Sequence, residues 1–394
     1  MGELRMGAGS NAKRKLRLGM VGGGLGAFIG AVHRMASRLD DRYELLAGAF
    51  SSEAGRARAS GRELGIARNR TYTTYQEMAD KESQREDGID VVSIVTPNNV
   101  HFGPAKAFTE AGIHVILDKP LTTTLGEAIA LEKIVRKSRL IFGLTHTYTG
   151  YPMVRQAREM ALGGELGKVR LVQVEYPQDW LTRPLEKTGN KQAQWRTDPK
   201  RSGLAGALGD IGSHAYNLVC FATGLRCEAV AADVHTFVPG RRVDDNVHVL
   251  MRFGNGAKGI LWASQVAVGC ENDLRLRVFG EKASLEWSQA NMNYLKFSRY
   301  GEPHQRLSRS GPGSTAAGAH ASRLPAGHPE GYIEAFAQLY SDLAEQISAD
   351  IERRRPDAAS LLVPGIAEGV AGMRFIDAVL RSSRRKSAWT RIAT

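Results

Sequence analysis

Cysteine is scarce in this sequence. Cys220, Cys227 and Cys270 are the three in 394 residues, and no two of them stand as CxxC. That argues against a disulfide scaffold and against a cysteine-built zinc site, and it makes a reducing cytoplasm the expected setting. Long apolar runs are missing too. No stretch approaches the roughly 18 apolar residues that span a bilayer. The basic cluster Lys13-Arg14-Lys15 leads into a short apolar stretch that runs into glycines, without a small-residue cleavage site. Neither a membrane span nor a secretory signal is expected. Aromatic residues make up only 7%, and the basic excess, 53 Lys and Arg against 41 Asp and Glu for a net +12, is scattered along the chain. Basic helices interleaved with aromatics, the footprint of nucleic-acid binding, are absent, so nucleic acid is not an expected partner. The charge fits an arginine-rich surface, or an anionic cofactor or substrate.

The remaining composition, 42% hydrophobic and 24% charged, is that of a globular chain, and its length suggests two domains. In the first third, strand signals (Leu16–Val21, Tyr43–Phe50, Val91–Val95, Ile113–Leu117, Leu140–Leu144) alternate with helix signals (Gly26–Leu39, Glu53–Leu64, Leu125–Ser138). This is the pattern of βαβ units around a buried parallel sheet. Beyond about residue 150 a helix over Pro152–Leu162 precedes a strand over Val169–Tyr176, and a second helix is expected over Ile211–Thr223. Strands then crowd together: Ala229–Val238, Val247–Phe253, Ala257–Val268, Leu274–Phe279, Ala283–Trp287 and Tyr294–Phe297. Gly254-Asn255-Gly256 marks a hairpin, and close strands with tight turns mean an antiparallel sheet. Gly301–Ala326 reads as a long loop, and helices over Tyr332–Ala349 and about Pro364–Ser382 close the chain. The expectation is an α/β protein with domains at 1–148 and 149–394.

Gly22-Gly23-Gly24-Leu25-Gly26-Ala27 follows the first strand and opens a helix, matching GxGxxG/A through Gly22, Gly24 and Ala27. Gly22 permits the tight turn, Gly24 leaves room for a pyrophosphate, and small Ala27 lets helix and strand pack closely. The helix N-terminus offers N–H groups and the positive end of a dipole. The turn, with Leu25 and Gly26, is therefore a candidate dinucleotide site. The second strand ends in Phe50-Ser51-Ser52 instead of the acid that would bond the ribose diol of NAD, and Arg56 stands nearby. Hydroxyls with an arginine suit a 2′-phosphate. Equally, Ser51 bonds the ribose and Arg56 is a solvated helix residue, so NAD and NADP both stay open.

Three further segments carry a resemblance: Thr96-Pro97-Asn98-Asn99-Val100-His101; Ala111-Gly112-Ile113-His114-Val115-Ile116-Leu117-Asp118-Lys119-Pro120; and Gly206-Ala207-Leu208-Gly209-Asp210-Ile211-Gly212-Ser213-His214. With the glycine turn, and in this order, they resemble the glucose-fructose oxidoreductase / inositol dehydrogenase / MocA family over the whole chain. The resemblance implies an N-terminal Rossmann domain followed by an α/β domain with a large, mostly antiparallel open sheet. It also implies dimers or tetramers formed through that sheet, and hydride transfer between NAD or NADP and a sugar, cyclitol or related hydroxyl compound. Position by position it makes Lys119, Asp210 and His214 the catalytic set. Thr96, Pro97, Asn98, His101, Asp118, Lys119, Trp195 and Arg196 join the glycine turn, Ser51, Ser52 and Arg56 at the cofactor.

The chemistry suits those residue types. Removing a hydride from an alcohol leaves a proton for a base near neutral pKa, which histidine provides. Lys119 can bond the same oxygen as negative charge develops. Asp210 and His214, four apart, share a helix face, where Asp210 orients the imidazole or binds a substrate hydroxyl. The plainer alternatives are a surface lysine, a helix N-cap and a core histidine. No third ligand joins Asp210 and His214 as a metal site, so no metal is expected. Tyr148, Gln178, Arg196, His214 and His328 are candidate substrate contacts, with Asp244, Asp245 and Asn246 as a weaker group or a solvated turn. Departures from the family pattern, Asp118 for its usual Glu and Thr145-His146-Thr147-Tyr148 for its usual basic residue, leave the substrate open, an acidic sugar included. Two other readings remain: a redox-neutral glycosidase or lyase that oxidises a sugar transiently, and a non-catalytic NADP sensor.

Overall fold

The computed structural model describes residues 14–393. Lys13, the first residue of the basic cluster, and the reading of the N-terminus as non-secretory fall outside them. In chain order the first elements are β1 (Leu16–Gly22), α1 (Phe28–Leu39), β2 (Tyr43–Ala49), α2 (Ala54–Glu63), α3 (Tyr75–Ser83), β3 (Val91–Val95), α4 (Phe102–Glu110), β4 (His114–Leu117), α5 (Leu125–Ser138) and β5 (Phe142–Leu144). There follow α6 (Pro152–Leu162), β6 (Val169–Pro177), α7 (Lys191–Arg196), α8 (Pro199–Ser202), α9 (Ser213–Thr223), β7 (Cys227–His235), β8 (Asn246–Phe253), β9 (Lys258–Ser264), β10 (Arg275–Gly280), β11 (Ala283–Ser288), β12 (Tyr294–Arg299) and β13 (Gln305–Ser308). The chain closes with α10 (Ala316–His320), α11 (Tyr332–Ile351), α12 (Ile366–Arg384) and β14 (Thr390–Arg391).

The chain forms two compact units, and a single cut near residue 148 does not separate them. The first runs to Gly150 and also takes Tyr332–Val370; the second holds Tyr151–Gly331 and the chain from Ala371 onward. The correction has a plain cause. Phe336, Ala337, Tyr340, Leu343, Ala344 and Ile347, spaced along one face of α11, share a buried cluster with Leu16, Leu18, Val32, Tyr43, Val91 and Ile116. A helical face covering a sheet contributed by residues some 300 positions earlier leaves no local signal.

In the first unit five parallel strands run in the order β2-β1-β3-β4-β5. All five residues of β3 are buried, as a strand covered on both faces requires. The direction of winding reverses between β1 and β3, so a crevice is expected beyond their carboxyl ends. Helices α3 and α4, which carried no signal in the sequence reading, complete the cover. Their sequences, YQEMADKES and FGPAKAFTE, are short and only weakly amphipathic.

The second unit holds nine strands in the order β13-β12-β11-β10-β6-β9-β8-β7-β14. All neighbours are antiparallel except β6 and β9. Alternate residues of β8 are buried and exposed, so the sheet has one covered and one open face. Gly301–Ala326 is not all loop. Polar Gln305–Ser308 pairs with β12 as β13, and Ala316–His320 forms α10 behind an N-cap by Thr315. An edge strand without apolar alternation and a helix of one turn are both too short for periodicity to show. Among the described residues, Ala358–Arg384 has the length and mean hydropathy, 1.3, of a membrane span, although no membrane span is expected from the sequence. Val370, Met373, Phe375, Ala378 and Val379 of that segment are nevertheless buried inside the protein.

Candidate active site

The glycine turn leaves β1 with Gly22, Gly23 and Gly26 at φ of 81°, 69° and 75°, the left-handed region that disfavours side chains. It stands at the switch point: a Cβ on Gly22 would lie 3.0 Å from Cγ2 of Thr96, just past β3. Helix α1 begins at Phe28, two residues later than expected. Its first turn holds no acid and its N-cap, Ala27, supplies no side-chain bond. Its leading N–H groups and dipole therefore suit an anion, and the turn fits a pyrophosphate.

Two details differ from the fingerprint as read. Half-buried Ala27 is the N-cap, and the close helix–strand approach falls to Gly30, where a Cβ would collide with Cα of Gly23 and come within 2.7 Å of its carbonyl oxygen. Gly24 is buried, and a Cβ there would meet Oγ of Ser60 at 2.6 Å and the Phe50 carbonyl at 2.8 Å. It makes room for the protein itself as well as for a ligand.

Side chains from α1 and α2 brace the turn. Arg34 donates to the Gly23 carbonyl at 2.6 Å, Arg56 donates to the Leu25 carbonyl, and the Leu25 N–H donates to Oγ of Ser60 at 3.0 Å. Arg34 and Ser60 went unnoticed in the sequence, because any donor or hydroxyl at helical spacing looks alike there. Beyond β2, Ser51 is half-buried and accepts from the Glu53 N–H, while Ser52 and Arg56 are exposed. Glu53 is the N-cap of α2, accepting from the Arg56 N–H.

Thr96 and Pro97 are half-buried after β3, and Asn98 is buried in a short 3₁₀ turn. His101 is fully buried and does not face a cofactor. Its Nδ1 lies 2.7 Å from the Pro120 carbonyl and its Nε2 lies 3.0 Å from the Thr96 carbonyl. The ring ties the end of β3 to the turn after β4, and burial lowers its pKa against the pull of Asp118. Asp118 also acts as a brace: Oδ1 accepts from the Lys119 N–H at 2.9 Å and from the Thr145 hydroxyl at 3.0 Å. Lys119 is thus held half-buried at the carboxyl end of β4. His146, at the end of β5, is buried, and desolvation with Lys119 close by lowers its pKa to about 3. A neutral imidazole stands where the family pattern has a basic residue. Tyr148 is buried in the 3₁₀ turn Thr147–Gly150.

In the second unit, Asp210 lies in a π-turn, Leu208–Gly212, that runs into α9, and it is half-buried. Such turns widen a helix locally and recur at functional sites. Its Oδ2 accepts from Arg196 Nε at 3.3 Å and from Gln265 Nε2 at 2.9 Å. The Arg196 guanidinium lies 4.2 Å from the Trp195 ring centre and 5.8 Å from that of Trp180, and its Nη1 donates to Oε1 of Gln192 at 2.6 Å. With Nε and Nη1 so engaged, the planar fork does not stand ready to clasp a carboxylate in pairs. Gln178 accepts from the Trp180 indole at 3.0 Å, extending the same network. Half-buried His214 opens α9, its ring 6.3 Å from that of Tyr176. His328 is exposed, and among the described residues it makes no hydrogen bond with the Asp210 network; its carbonyl accepts from buried Arg309. Gln265 carried no signal in the sequence, since a lone glutamine just past a strand has none. Asp244 and Asp245 are buried and are no solvated turn. No group of three His, Cys, Asp or Glu suits a metal ion among the described residues.

Comparison with known proteins agrees with this fold. Residues 16–146 match the model described as "Oxidoreductase family, NAD-binding Rossmann fold", and residues 154–286 match the "GFO/IDH/MocA C-terminal domain". The chain is 36% identical over 379 residues to an uncharacterized oxidoreductase, YfiI, of Bacillus subtilis (strain 168), covering 95% of this chain and 96% of that one. It is similar to the crystal structure of an oxidoreductase from Sinorhizobium meliloti, with 52% identity and a TM-score of 0.86 over 96% of this chain and 99% of the other. It is also similar to an inositol dehydrogenase homolog from Azotobacter vinelandii complexed with NADH and myo-inositol, with 35% identity and a TM-score of 0.88 over 96% and 98%. The chain belongs to the Gfo/Idh/MocA family of NAD-binding oxidoreductases.

Proposed function

We propose that the protein oxidises a secondary hydroxyl of a cyclitol or sugar, or reduces the matching ketone, as a net dehydrogenase. The observation that carries this reading is Lys119. It is fixed by Asp118 on a turn at the carboxyl end of β4, the same sheet edge that bears the glycine turn. The relative from Azotobacter vinelandii, crystallised with NADH and myo-inositol, supports a polyol as the substrate class.

Bound nicotinamide supplies the hydride acceptor. Gly22, Gly24, Leu25, Gly26 and Ala27 would hold its pyrophosphate, Ser51, Ser52 and Arg56 would hold the adenosine ribose, and Thr96, Pro97 and Asn98 would hold the rest of the dinucleotide. His214 takes the hydroxyl proton on its imidazole. Lys119 donates to the same oxygen and stabilises its developing negative charge. Asp210, held by Arg196 and Gln265, accepts from a neighbouring hydroxyl of the polyol. Neither carboxylate nor phosphate on the substrate is needed. The absence of an acid after β2 suits NADP as well as NAD.

The open face of the nine-stranded sheet supports self-association. Leu250 and Ile260 are cross-strand partners, 50% and 45% exposed, and Leu171 on the next strand is 51% exposed. An apolar strip of this kind on a sheet face marks an interaction surface. A second copy of the chain is the occupant, and light scattering should give a dimer or tetramer.

A panel of inositols, aldoses, uronates and glycosides, assayed with NAD and with NADP, tests the reading. Growth of the reduced-nicotinamide absorbance with one intact ketone product is expected. Glycoside cleavage without net reduction would replace the proposal with the redox-neutral one, and binding without turnover of any member would replace it with a sensor.

A further inference from the structure

The turn that carries Asp210 is bound at its main chain by a residue from a loop distant in sequence. Asp244 lies two positions before β8, and its side chain is buried. Its two carboxylate oxygens accept from the Gly206 N–H at 2.6 Å and the Leu208 N–H at 2.7 Å. Its carbonyl accepts from the Ala207 N–H at 2.9 Å. Three successive N–H groups therefore converge on one residue. They stand at the start of the π-turn, where main-chain donors lack partners within the helix and Ala207 provides no side-chain cap. Asp244 caps the turn from outside. The fit leaves no room at residue 206, where a Cβ would run into the Asp244 carbonyl oxygen. Gly206 in turn accepts from the Asp210 N–H at 2.9 Å, so two hydrogen bonds lead from the Asp244 carboxylate to the Asp210 main chain.

A second route reaches the Asp210 side chain. The Asp245 carbonyl accepts from the Gln265 N–H at 2.8 Å, and Gln265 Nε2 donates to Asp210 Oδ2. The Asp245 carboxylate is itself fully buried and bound by Arg241 Nη1 at 3.2 Å and by the N–H groups of Phe237 and Val238. Burying a carboxylate costs free energy that only such hydrogen bonds offset. Of these two adjacent buried carboxylates, that of Asp244 is spent on main-chain N–H groups of the Asp210 turn, while that of Asp245 fixes the loop before β8, whose Asp245 carbonyl holds Gln265.

We infer that Asp244 is a positioning residue: by binding the N–H groups of Gly206 and Leu208 it sets where Asp210 presents its carboxylate. Its identity matters because two N–H groups need two acceptors. Asparagine keeps the volume but turns an NH₂ group toward one of them. This inference rests on the reading of Asp210 as a substrate contact, and the test separates the two.

Asp244→Asn in the full chain should lower kcat/KM for the polyol oxidised fastest in the panel by about tenfold, the scale of one lost charge-assisted hydrogen bond. The Kd for NADH should stay within about twofold. The readout specific to positioning is the double variant: Asp210→Asn with Asp244→Asn should be no slower than Asp210→Asn alone. Losses that multiply, or an Asp244→Asn variant as fast as the parent, would overturn the inference. Wild-type turnover by Asp210→Asn would instead remove the substrate-contact reading. Amide hydrogen exchange on the unmodified protein needs neither variants nor substrate. Gly206 and Leu208 should exchange as slowly as the amides within α9, and exchange at the rate of exposed loops would overturn the inference even if Asp244→Asn does not fold.

Discussion

The glycine turn and the Asp210 turn are two ways of building a site, and they differ in what they demand of the sequence. After β1 the chain must adopt positive φ at Gly22, Gly23 and Gly26 and must let α1 approach at Gly30. Those are demands on the backbone that few residue types other than glycine meet, so the motif stands out in the sequence. Around Asp210 the work is done by side chains from a helix end and two loops: Arg196, Asp244 and Gln265. Any donor of suitable reach could fill two of those places, so the sequence carries no comparable mark. A backbone-built site is legible from one chain. A site built from side chains is legible only once the fold brings its members together.

The same distinction explains how the fold was read. Parallel strands such as Val91–Val95 and helices such as Leu125–Ser138 and Pro152–Leu162 fall where periodicity and capping put them. The assignment of α11 to the first unit escaped, because it depends on a tertiary partner. At the candidate site Lys119 was legible through its motif. The bracing by His101 and Asp118 is not legible there, since a motif position looks the same whether its side chain holds the protein or a ligand.

The largest effect expected is on Lys119, which the first unit places and braces. Lys119→Ala should reduce polyol turnover by roughly a hundredfold or more, as expected for a group acting on charge that develops at the reacting oxygen. The NADH Kd, measured by fluorescence, should hardly change. Wild-type-like turnover would remove Lys119 from the chemistry and leave the first unit with cofactor binding alone.

The two units should also respond to pH with opposite sign. In the first, burial lowers the pKa of His33 to about 4. The imidazole stays neutral in the folded state while the unfolded chain gains a proton below about pH 6.5. Stability is therefore lost as pH falls from 6.5 toward 4, by on the order of 2 kcal/mol at pH 5. In the second, burial raises Asp244 to about 6 despite the N–H groups of Leu208 and Gly206. There the folded state holds the extra proton, so stability falls as pH rises from about 4 to 6. His33→Gln should flatten the acid limb of a denaturant–pH series, and Asp244→Asn should flatten the opposing one. An acid limb unchanged by His33→Gln would show that the His33 ring is protonated in the folded protein.

Gly30→Ala tests whether the glycine turn is as backbone-limited as the contacts indicate. The added methyl would press on Gly23 at the base of the turn, a misfit of about 1–3 kcal/mol by the usual cost of overpacking. NADH affinity should drop about tenfold, although residue 30 lies in the first turn of α1, outside the glycine run itself. An unchanged affinity would mean that α1 can move away from the turn without disturbing it.

The smallest effect belongs to the side-chain-built site, where partners share the load. Arg196 holds Asp210 through Nε, Gln192 through Nη1 and the Trp195 ring by stacking. Lysine has one nitrogen for all of these and no plane to stack. Gln265 nevertheless keeps its 2.9 Å bond to Asp210 in an Arg196→Lys variant, so the loss should be a few-fold in kcat/KM, similar for neutral and acidic polyols, with the NADH Kd unchanged. A KM that rises for uronates alone would mean that the guanidinium turns from Asp210 to clasp a substrate carboxylate. A rise in the NADH Kd would assign it to the cofactor. A few-fold loss shared by every substrate would leave Arg196 as a partner of Asp210, and adding Gln265→Leu should then cost more than the two single losses multiplied, because each residue covers for the other.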